Sequence, residues 1–487
     1  MSDRHSSKKT VAVIGAGPVG LAAAAHLLER GLEPVVLEAG VQAADVVQEW
    51  GHIRLFSPWR YNIDAAARRL LQQTEWKEPD TDVLPTGAEL VENYLHPLAG
   101  TPQLAPRIHT DRRVRAVTRT GMDKVRSLGR EEQSFLLRTT SSTGEVHDFT
   151  ADAVIDASGV WGQPNPLGTA GLRAPGEEAV GPYLTGALPD VLGRGRARFA
   201  GRHTLVAGMG HSAANTLLAL AELADTAEGT TITWVVRGAS PTRLYGGGDA
   251  DGLPARGALG SRLKERVERG DITLIPEFTI TGFEVPAACC GSPSGPLSVR
   301  GQTPKGAMKI DVDNVVDAVG FRPDLEMLRE IRLGLDPAVE APVAIGPMID
   351  PNAHSCGTVP PHGERELAHP EPDFYIAGVK SYGRAPTFLL ATGYEQVRSV
   401  AAALAGDRAA ADAVELELPE TGVCTTDLPS ADGATDEGAG CCAPGPAPAQ
   451  QGFPTGFEHG YAGDAARNEA QSEASCCAPE QDSEPGK

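Results

Sequence analysis

The sequence predicts an α/β chain of two nested Rossmann-like dinucleotide-binding domains, the first interrupted by the second, with a disordered acidic C-terminal tail. Three observations predict it. Short apolar runs alternate with longer helical patterns, the signature of βαβ units on a parallel sheet. Two glycine-rich turns each follow such a run and open a helix. From about residue 421 onward Gly, Ala, Pro, Ser and acidic residues dominate, and few aliphatic side chains remain to build a core.

The elements follow in order. Residues 10–14 (Thr-Val-Ala-Val-Ile) read as a buried strand, 19–30 as a helix stopped by Gly31, and 34–37 as the next strand. A second unit repeats the theme, with a strand at 204–207, a helix at 213–223 and a strand at 231–236. The expected division is 8–165 for the first part of domain one and 166–310 for domain two. Residues 311–410 then return to domain one, and 411–487 form the tail.

At 487 residues the chain is long enough for two or three domains with substantial cores. Hydrophobic residues make up 41% and charged residues 22%, as in ordinary soluble proteins. A net charge of -21 with scattered basic residues argues against a nucleic-acid partner and against a polybasic membrane patch. No run approaches the roughly 18 apolar residues that span a bilayer. The polar start of the chain shows no secretory leader. The expected location is therefore the cytoplasm, where structural disulfides are rare.

The first turn is Gly15-Ala16-Gly17-Pro18-Val19-Gly20. Gly15 permits the tight turn, Gly17 lets the backbone approach a pyrophosphate, and Gly20 lets the helix sit close to the sheet. The phosphates are expected on the helix that starts at Pro18, where free N–H groups and the dipole favour negative charge. Glu38 ends the following strand, placed to accept hydrogen bonds from ribose hydroxyls. The second turn, Gly208-Met209-Gly210-His211-Ser212-Ala213, carries Ala in the third place, which the fingerprint permits. Gly208, Gly210 and Ser212 are its candidate phosphate contacts. The strand after it ends at Arg237 in place of an acid. A cation there suits a 2′-phosphate, which favours NADPH over NADH, with Arg243 as a second phosphate ligand.

With both turns in place, the chain resembles the flavin-dependent monooxygenases and their pyridine-nucleotide disulfide reductase relatives over nearly all of residues 10–405. Val154-Ile155-Asp156-Ala157-Ser158-Gly159 resembles the family's first crossing between domains, and Asp317-Ala318-Val319-Gly320-Phe321-Arg322-Pro323-Asp324 the second. Asp373-Phe374-Tyr375-Ile376-Ala377-Gly378 resembles the last strand of the FAD domain. The resemblance implies FAD in the first site and NADPH in the second. It places Gly378 and the helix start near Thr392 beside the isoalloxazine, and the polar segment Lys380-Ser381-Tyr382-Gly383-Arg384-Ala385-Pro386 close by. Two departures stand out. No counterpart of the family's histidine-ending fingerprint lies between Gly162 and Arg202. The family's flavin-side asparagine corresponds to Asn62 in Trp59-Arg60-Tyr61-Asn62, but with different flanks. Asn62 is thus the catalytic candidate, against a loop asparagine that serves only the fold.

Six of the eight cysteines fall in adjacent pairs: Cys289-Cys290, Cys441-Cys442 and Cys476-Cys477. Cys356 and Cys424 stand alone. There is no C-x-x-C and no C-x4-C, so the flavin-adjacent redox disulfide of thioredoxin reductases is missing. Adjacent cysteines suit a soft ion better than a disulfide ring. The repeated phrase Cys-Cys-Ala-Pro at Cys441-Cys442 and Cys476-Cys477 resembles the paired cysteines of mercuric reductases and arsenite metallochaperones. Those four cysteines are the candidate ligands for trivalent arsenic or another soft metal, and an inert low-complexity tail is the alternative. As a whole the chain resembles a flavin monooxygenase of the arsenic-resistance-operon type.

The resemblance implies a monooxygenase in which NADPH reduces FAD, O2 forms a C4a-(hydro)peroxyflavin, and a small-molecule substrate takes one oxygen atom. The alternatives are a flavin reductase that passes electrons through the tail thiols to a metalloid or disulfide, and a metalloid-binding module.

Overall fold

The computed structural model describes residues 8–416, apart from 246–253, 287, 290, 291, 294, 351–358 and 386–387, with the backbone alone for 243, 288, 289, 292 and 293. Cys290, Cys356, Cys424, Cys441, Cys442, Cys476 and Cys477 lie outside the described residues.

The apolar strand β1 (Thr10–Ile14) feeds the first glycine turn and helix α1 (Pro18–Glu29), and the chain returns as β2 (Glu33–Leu37). Helix α1 is apolar nearly all round because packing covers it on every side: Leu21 to Ala25 are fully buried. Asp64 caps α2 (Ala65–Leu71) by accepting the Ala67 N–H at 2.8 Å. After the short β3 (Ile108–His109), strands β4 (Arg113–Arg119), β5 (Phe135–Thr140) and β6 (Val146–Ala151) form an antiparallel meander. Strand β7 (Ala153–Asp156) then rejoins β1 in parallel.

The chain next builds a second set. It runs through β8 (Leu184–Thr185), β9 (His203–Ala207), α3 (His211–Ala224), β10 (Thr231–Val235), α4 (Pro254–Glu268) and β11 (Thr273–Ile275). Strand β12 (Thr279–Glu284) precedes a small hairpin of β13 (Ala288–Cys289) and β14 (Ser292–Pro293). Strand β15 (Leu297–Thr303) pairs with β12 on one side and with β16 (Gly306–Val312) on the other, a second antiparallel sheet. Strand β17 (Asn314–Asp317) follows, and the chain ends its sheets with β18 (Phe374–Ile376) before helix α5 (Leu390–Leu404).

The strand orders are β18-β7-β1-β2-β3 and β11-β10-β9-β17-β8. In each, the strand that feeds a glycine turn sits where the order reverses, the point at which parallel sheets bind ligands beyond their carboxyl ends. Successive strand residues face opposite layers. Val11, Val13 and Ile155 join the helical layer with α1 and α5, while Ile14 and Val154 join Val117, Phe135 and Leu137 of the meander.

Two antiparallel connections join the sheets. The Asn165 N–H donates to Gly320 O at 2.9 Å, the Arg322 N–H to Gln163 O at 3.0 Å, and Trp161 stacks on Phe321 at 5.0 Å. Strand β17 bonds β9, so the second sheet runs to Asp317, beyond the boundary expected at 310. A short helix, Arg408–Asp412, buries Ala411, so packed chain also continues past the tail boundary expected at 410. No described helix is long and apolar enough to cross a membrane.

Candidate nucleotide sites

The two glycine turns have the same geometry. Gly15 has φ +96°, and a Cβ on it would lie 2.9 Å from Ala157 O at the end of β7. A Cβ on Gly20 would lie 1.9 Å from Gly15 O, so only glycine lets α1 start there. At Gly17 a Cβ would meet nothing within 4 Å, which leaves open space in front of the helix. The second turn repeats this: Gly208 has φ +128° with a Cβ position 2.1 Å from Ala318 O, while Gly210 again faces open space. Ala213, in the third place, is fully buried against the helical layer.

Gly17 and Gly210 are also the N-caps of α1 and α3, and neither helix has a side-chain cap. The N–H groups of the first turns therefore face the open space, with the dipole's positive end toward it. Pro18 at the first helical position removes a donor that the helix itself cannot use. Ser212, half-buried, lies in the first turn of α3. These features fit dinucleotide pyrophosphates at both turns.

Glu38 is 7% exposed, and its carboxylate accepts the N–H groups of Ala16 and Gly40, each at 2.7 Å. It braces the glycine turn and keeps lone pairs for ribose hydroxyls. Arg237 is exposed just beyond β10 and has no ion pair among the described residues. The Arg243 side chain lies outside the described residues. If Arg237 meets a 2′-phosphate, Arg237→Ala is expected to weaken NADPH binding about tenfold and leave NADH unchanged. Titration of each nucleotide reads this directly, and equal losses for both would remove the assignment.

The carboxyl ends of β7 and β18 carry a buried polar cluster. Lys380 Nζ donates to Asp156 Oδ2 at 2.7 Å and to Ser158 Oγ at 3.1 Å, and both side chains of the ion pair are 0% exposed. Ser158 in turn donates through Oγ and its N–H to Asp156 Oδ1. Gly378, at φ +70°, donates its N–H to Gln396 Oε1 at 2.8 Å. Gln396 Nε2 donates to Ser381 Oγ and to His362 Nε2, both at 2.9 Å. His362 Nδ1 reaches Pro360 O at 3.0 Å, so Nδ1 carries the proton. Burial holds His362 below its ordinary pKa, and the ring stays neutral.

Val19 of α1 packs against the Cα positions of both Gly378 and Gly393; a Cβ on Gly393 would lie 2.6 Å from its Cγ2. The starts of α1 and α5 are thereby held together at one end of the first sheet. Thr392, 7% exposed, lies in the first turn of α5, whose N-cap Leu389 offers no side-chain cap.

Asn62 is fully buried in the loop before α2. Its Oδ1 accepts from Ser57 Oγ at 2.8 Å, and its Nδ2 donates to Ser57 O and Pro58 O at 2.7 and 3.1 Å. Tyr394 Oη on α5 donates to Asn62 O at 2.8 Å. The side chain is spent inside its own loop, the arrangement of a loop asparagine.

Sequence reasoning missed the Lys380–Asp156 pair, His362 as a partner of Gln396, and the buried Asp317. Each lay within or near a quoted segment, but no spacing rule joins residues so far apart in the chain. Among the described residues no cluster of three or more His, Cys, Asp or Glu is arranged to hold a metal ion.

A family model described as pyridine nucleotide-disulphide oxidoreductase matches residues 12–343. No curated protein matches the chain. Among solved structures, the chain is similar to the bacillithiol disulfide reductase of Bacillus cereus, at 19% identity and TM-score 0.60, covering 82% of this chain and 99% of that one. It is similar to the FAD-bound cadaverine monooxygenase of desferrioxamine biosynthesis from Erwinia amylovora, at 13% identity and TM-score 0.57, covering 88% and 100%. A flavin monooxygenase from Stenotrophomonas maltophilia aligns at 21% identity and TM-score 0.50, covering 82% and 99%. At these identities the likeness is one of fold.

Proposed function

Given that the chain belongs to the pyridine nucleotide-disulphide oxidoreductase family, we propose that this FAD- and NADPH-dependent oxidoreductase is a monooxygenase acting on a small-molecule substrate. In the balanced reaction NADPH, O2, a proton and substrate give NADP+, water and a product carrying one oxygen atom. The fold is shared by oxygenases and disulfide reductases, so it does not decide between them. The observation that carries the reading is that, among the described residues, no thiol lies at the flavin end. The polar side chains there belong to Asp156, Ser158, His362, Lys380, Ser381 and Gln396, and the sequence has no cysteine before Cys289. Electron transfer to a disulfide requires a thiol within reach of the flavin.

The Gly15, Gly17 and Gly20 turn and the α1 N-terminus would hold the FAD pyrophosphate, Glu38 its ribose, and Gly378 and the start of α5 at Thr392 its ring system. When bound, FAD would supply the two-electron chemistry that links NADPH to O2. The chain's own part is placement. Gln396 pins Gly378 at the end of β18, and Lys380 ties that end to Asp156 on β7. The N-terminus of α5 presents uncapped N–H groups where negative charge develops on reduction. His362 is neutral with its Nε2 lone pair already engaged by Gln396, so it does not serve as a general base. Asn62 acts as a positioning residue, shaping the loop that Tyr394 anchors to α5. The test is stopped-flow absorbance of the NADPH-reduced protein mixed with O2. A transient unlike both reduced and oxidised flavin is expected, and direct return to the oxidised spectrum overturns the reading.

The three adjacent cysteine pairs favour a second reading, in which electrons pass through the tail thiols to a metalloid or disulfide. Cys441, Cys442, Cys476 and Cys477 would then bind trivalent arsenic or another soft metal. Truncation near residue 420 separates the two. NADPH-dependent O2 consumption is expected to survive it unchanged, and its loss would transfer the weight to the relay.

A further inference from the structure

The strands that close the two nucleotide turns end alike, in Val154-Ile155-Asp156-Ala157 on β7 and Val315-Val316-Asp317-Ala318 on β17. Asp156 lies in register with Ile14 of β1, and Asp317 with Ala207 of β9. Residues two apart share a face of a strand. Asp156 therefore shares its face with Val154, packed on the first meander, and Asp317 with Val315, packed on the second antiparallel sheet beside Val299 and Phe283.

The two charges are treated differently. Both oxygens of Asp156 are engaged, by Lys380 and by Ser158. Asp317 is 9% exposed, and among the described residues it has no cation and one long hydrogen bond, from the Val319 N–H at 3.4 Å. The charged group that acts on it is Glu177, of the same sign, whose oxygens are taken by the N–H groups of Leu167 and Ala174. Burial, with a smaller push from Glu177, raises Asp317 to about 6. The fold gains nothing from an unpaired carboxyl at that depth, and such groups disfavour folding when ionised.

Its place in the sheet puts it at the carboxyl end of the strand beside the second glycine turn. The order β10-β9-β17 puts the glycine turn of β9 in the middle, Arg237 beyond β10 on one side and Asp317 at the end of β17 on the other. A dinucleotide whose pyrophosphate sits at α3 and whose 2′-phosphate meets Arg237 must send its other half across β17.

We propose that Asp317 is a ligand of the nicotinamide half of the pyridine nucleotide, accepting hydrogen bonds from its N–H or O–H donors and holding the oxidised, cationic form more tightly than the reduced one. The inference rests on the NADPH assignment above. Hydride transfer turns a neutral dihydronicotinamide into a cation, and a carboxylate in a buried site attracts that cation. The sign with pH follows. Below about 6 the carboxyl is protonated and the preference is lost; the 2′-phosphate ionises in the same range in both nucleotides, so the sign is read in their ratio, and as pH rises through about 6 the affinity for NADP+ rises relative to that for NADPH.

The experiment measures the affinities of NADP+ and NADPH for the FAD-loaded full chain by calorimetry across that pH range, for wild type and Asp317→Asn. The variant is expected to lose about tenfold in NADP+ affinity, to lose little for NADPH, to flatten the pH profile of their ratio and to keep its FAD. An unchanged ratio of the two affinities in Asp317→Asn overturns the proposal. So does a wild-type ratio of NADP+ to NADPH affinity that is flat through pH 6, a reading that needs no variant to fold. If neither nucleotide binds wild type, the NADPH assignment falls too. If both bind with no preference, that assignment stands and only the role of Asp317 is lost.

Discussion

Lys380→Met is expected to lose about 3–5 kcal/mol of stability and, with it, most of its bound FAD, because the change strands a buried charge. The ammonium and the Asp156 carboxylate are both 0% exposed and 2.7 Å apart. Methionine fills a similar volume but leaves Asp156 Oδ2 with no donor in a place water does not reach. The pair also joins the carboxyl ends of β7 and β18, and the first nucleotide turn packs against Ala157 and Ser158 just beyond β7. The flavin-to-protein absorbance ratio and the thermal midpoint read the two losses separately. Adding Asp156→Asn to Lys380→Met removes the stranded charge and is expected to restore part of both, since a neutral pair has little to desolvate. Full FAD content and an unchanged midpoint in Lys380→Met would show that the pair is incidental to the site.

How far that cluster could be read beforehand depends on the range over which sequence signals act. The glycine turns were legible because every part of the motif lies within one βαβ unit: the strand, Gly15 to Gly20, the helix and Glu38. The observed elements β1, α1 and β2 match the expected ones to within a residue or so. Lys380 and Asp156 are 224 positions apart, and nothing in either local sequence names the other. The antiparallel sheets escaped for a different reason. Strand β4 alternates buried Val114 and Val117 with exposed arginines, a half-buried pattern unlike the continuous apolar runs that mark parallel strands. For Asn62 the sequence left a catalytic group and a loop asparagine side by side, because only the fold shows that Ser57 and Pro58 engage its amide.

The two sheets repeat one backbone solution with different side chains around it. Gly15 against Ala157 and Gly208 against Ala318 are the same backbone approach, and each is followed by an uncapped helix. A permanently bound cofactor suits a site whose internal charges are already paired, as Asp156 and Lys380 are. A coenzyme whose nicotinamide arrives neutral and leaves as a cation suits a site with a carboxyl still to be matched, which is the condition of Asp317. The domains thus share the backbone course of the nucleotide turns and differ in side chains at the strand ends, Asp156 against Asp317 and Glu38 against Arg237.

Glu371→Ala should be as damaging to the fold as Lys380→Met, though it lies away from both turns. Glu371 is 1% exposed and sits just before β18, where it accepts Arg119 Nε at 2.8 Å, Arg130 Nη2 at 2.8 Å and the Arg332 N–H at 3.2 Å. Both arginines are 2% exposed, and Arg119 also covers the Phe135 ring at 3.6 Å. The carboxylate thus locks the first meander to the strand that leads into Gly378. Its removal leaves two buried guanidinium groups facing each other, which is expected to cost about 3–5 kcal/mol. Burial alone would raise the Glu371 pKa, but hydrogen bonds from Arg130 and Arg119 outweigh it and hold the group below the ordinary glutamate range. Its stabilising contribution is therefore present above that range and lost as pH falls through the lowered value. Asp148→Ala, which breaks the exposed Arg138 pair on the same meander, is the control and should leave the thermal midpoint unchanged. Equal midpoints for Glu371→Ala and Asp148→Ala would mean that the meander is held by its apolar face of Val117, Phe135 and Leu137 alone.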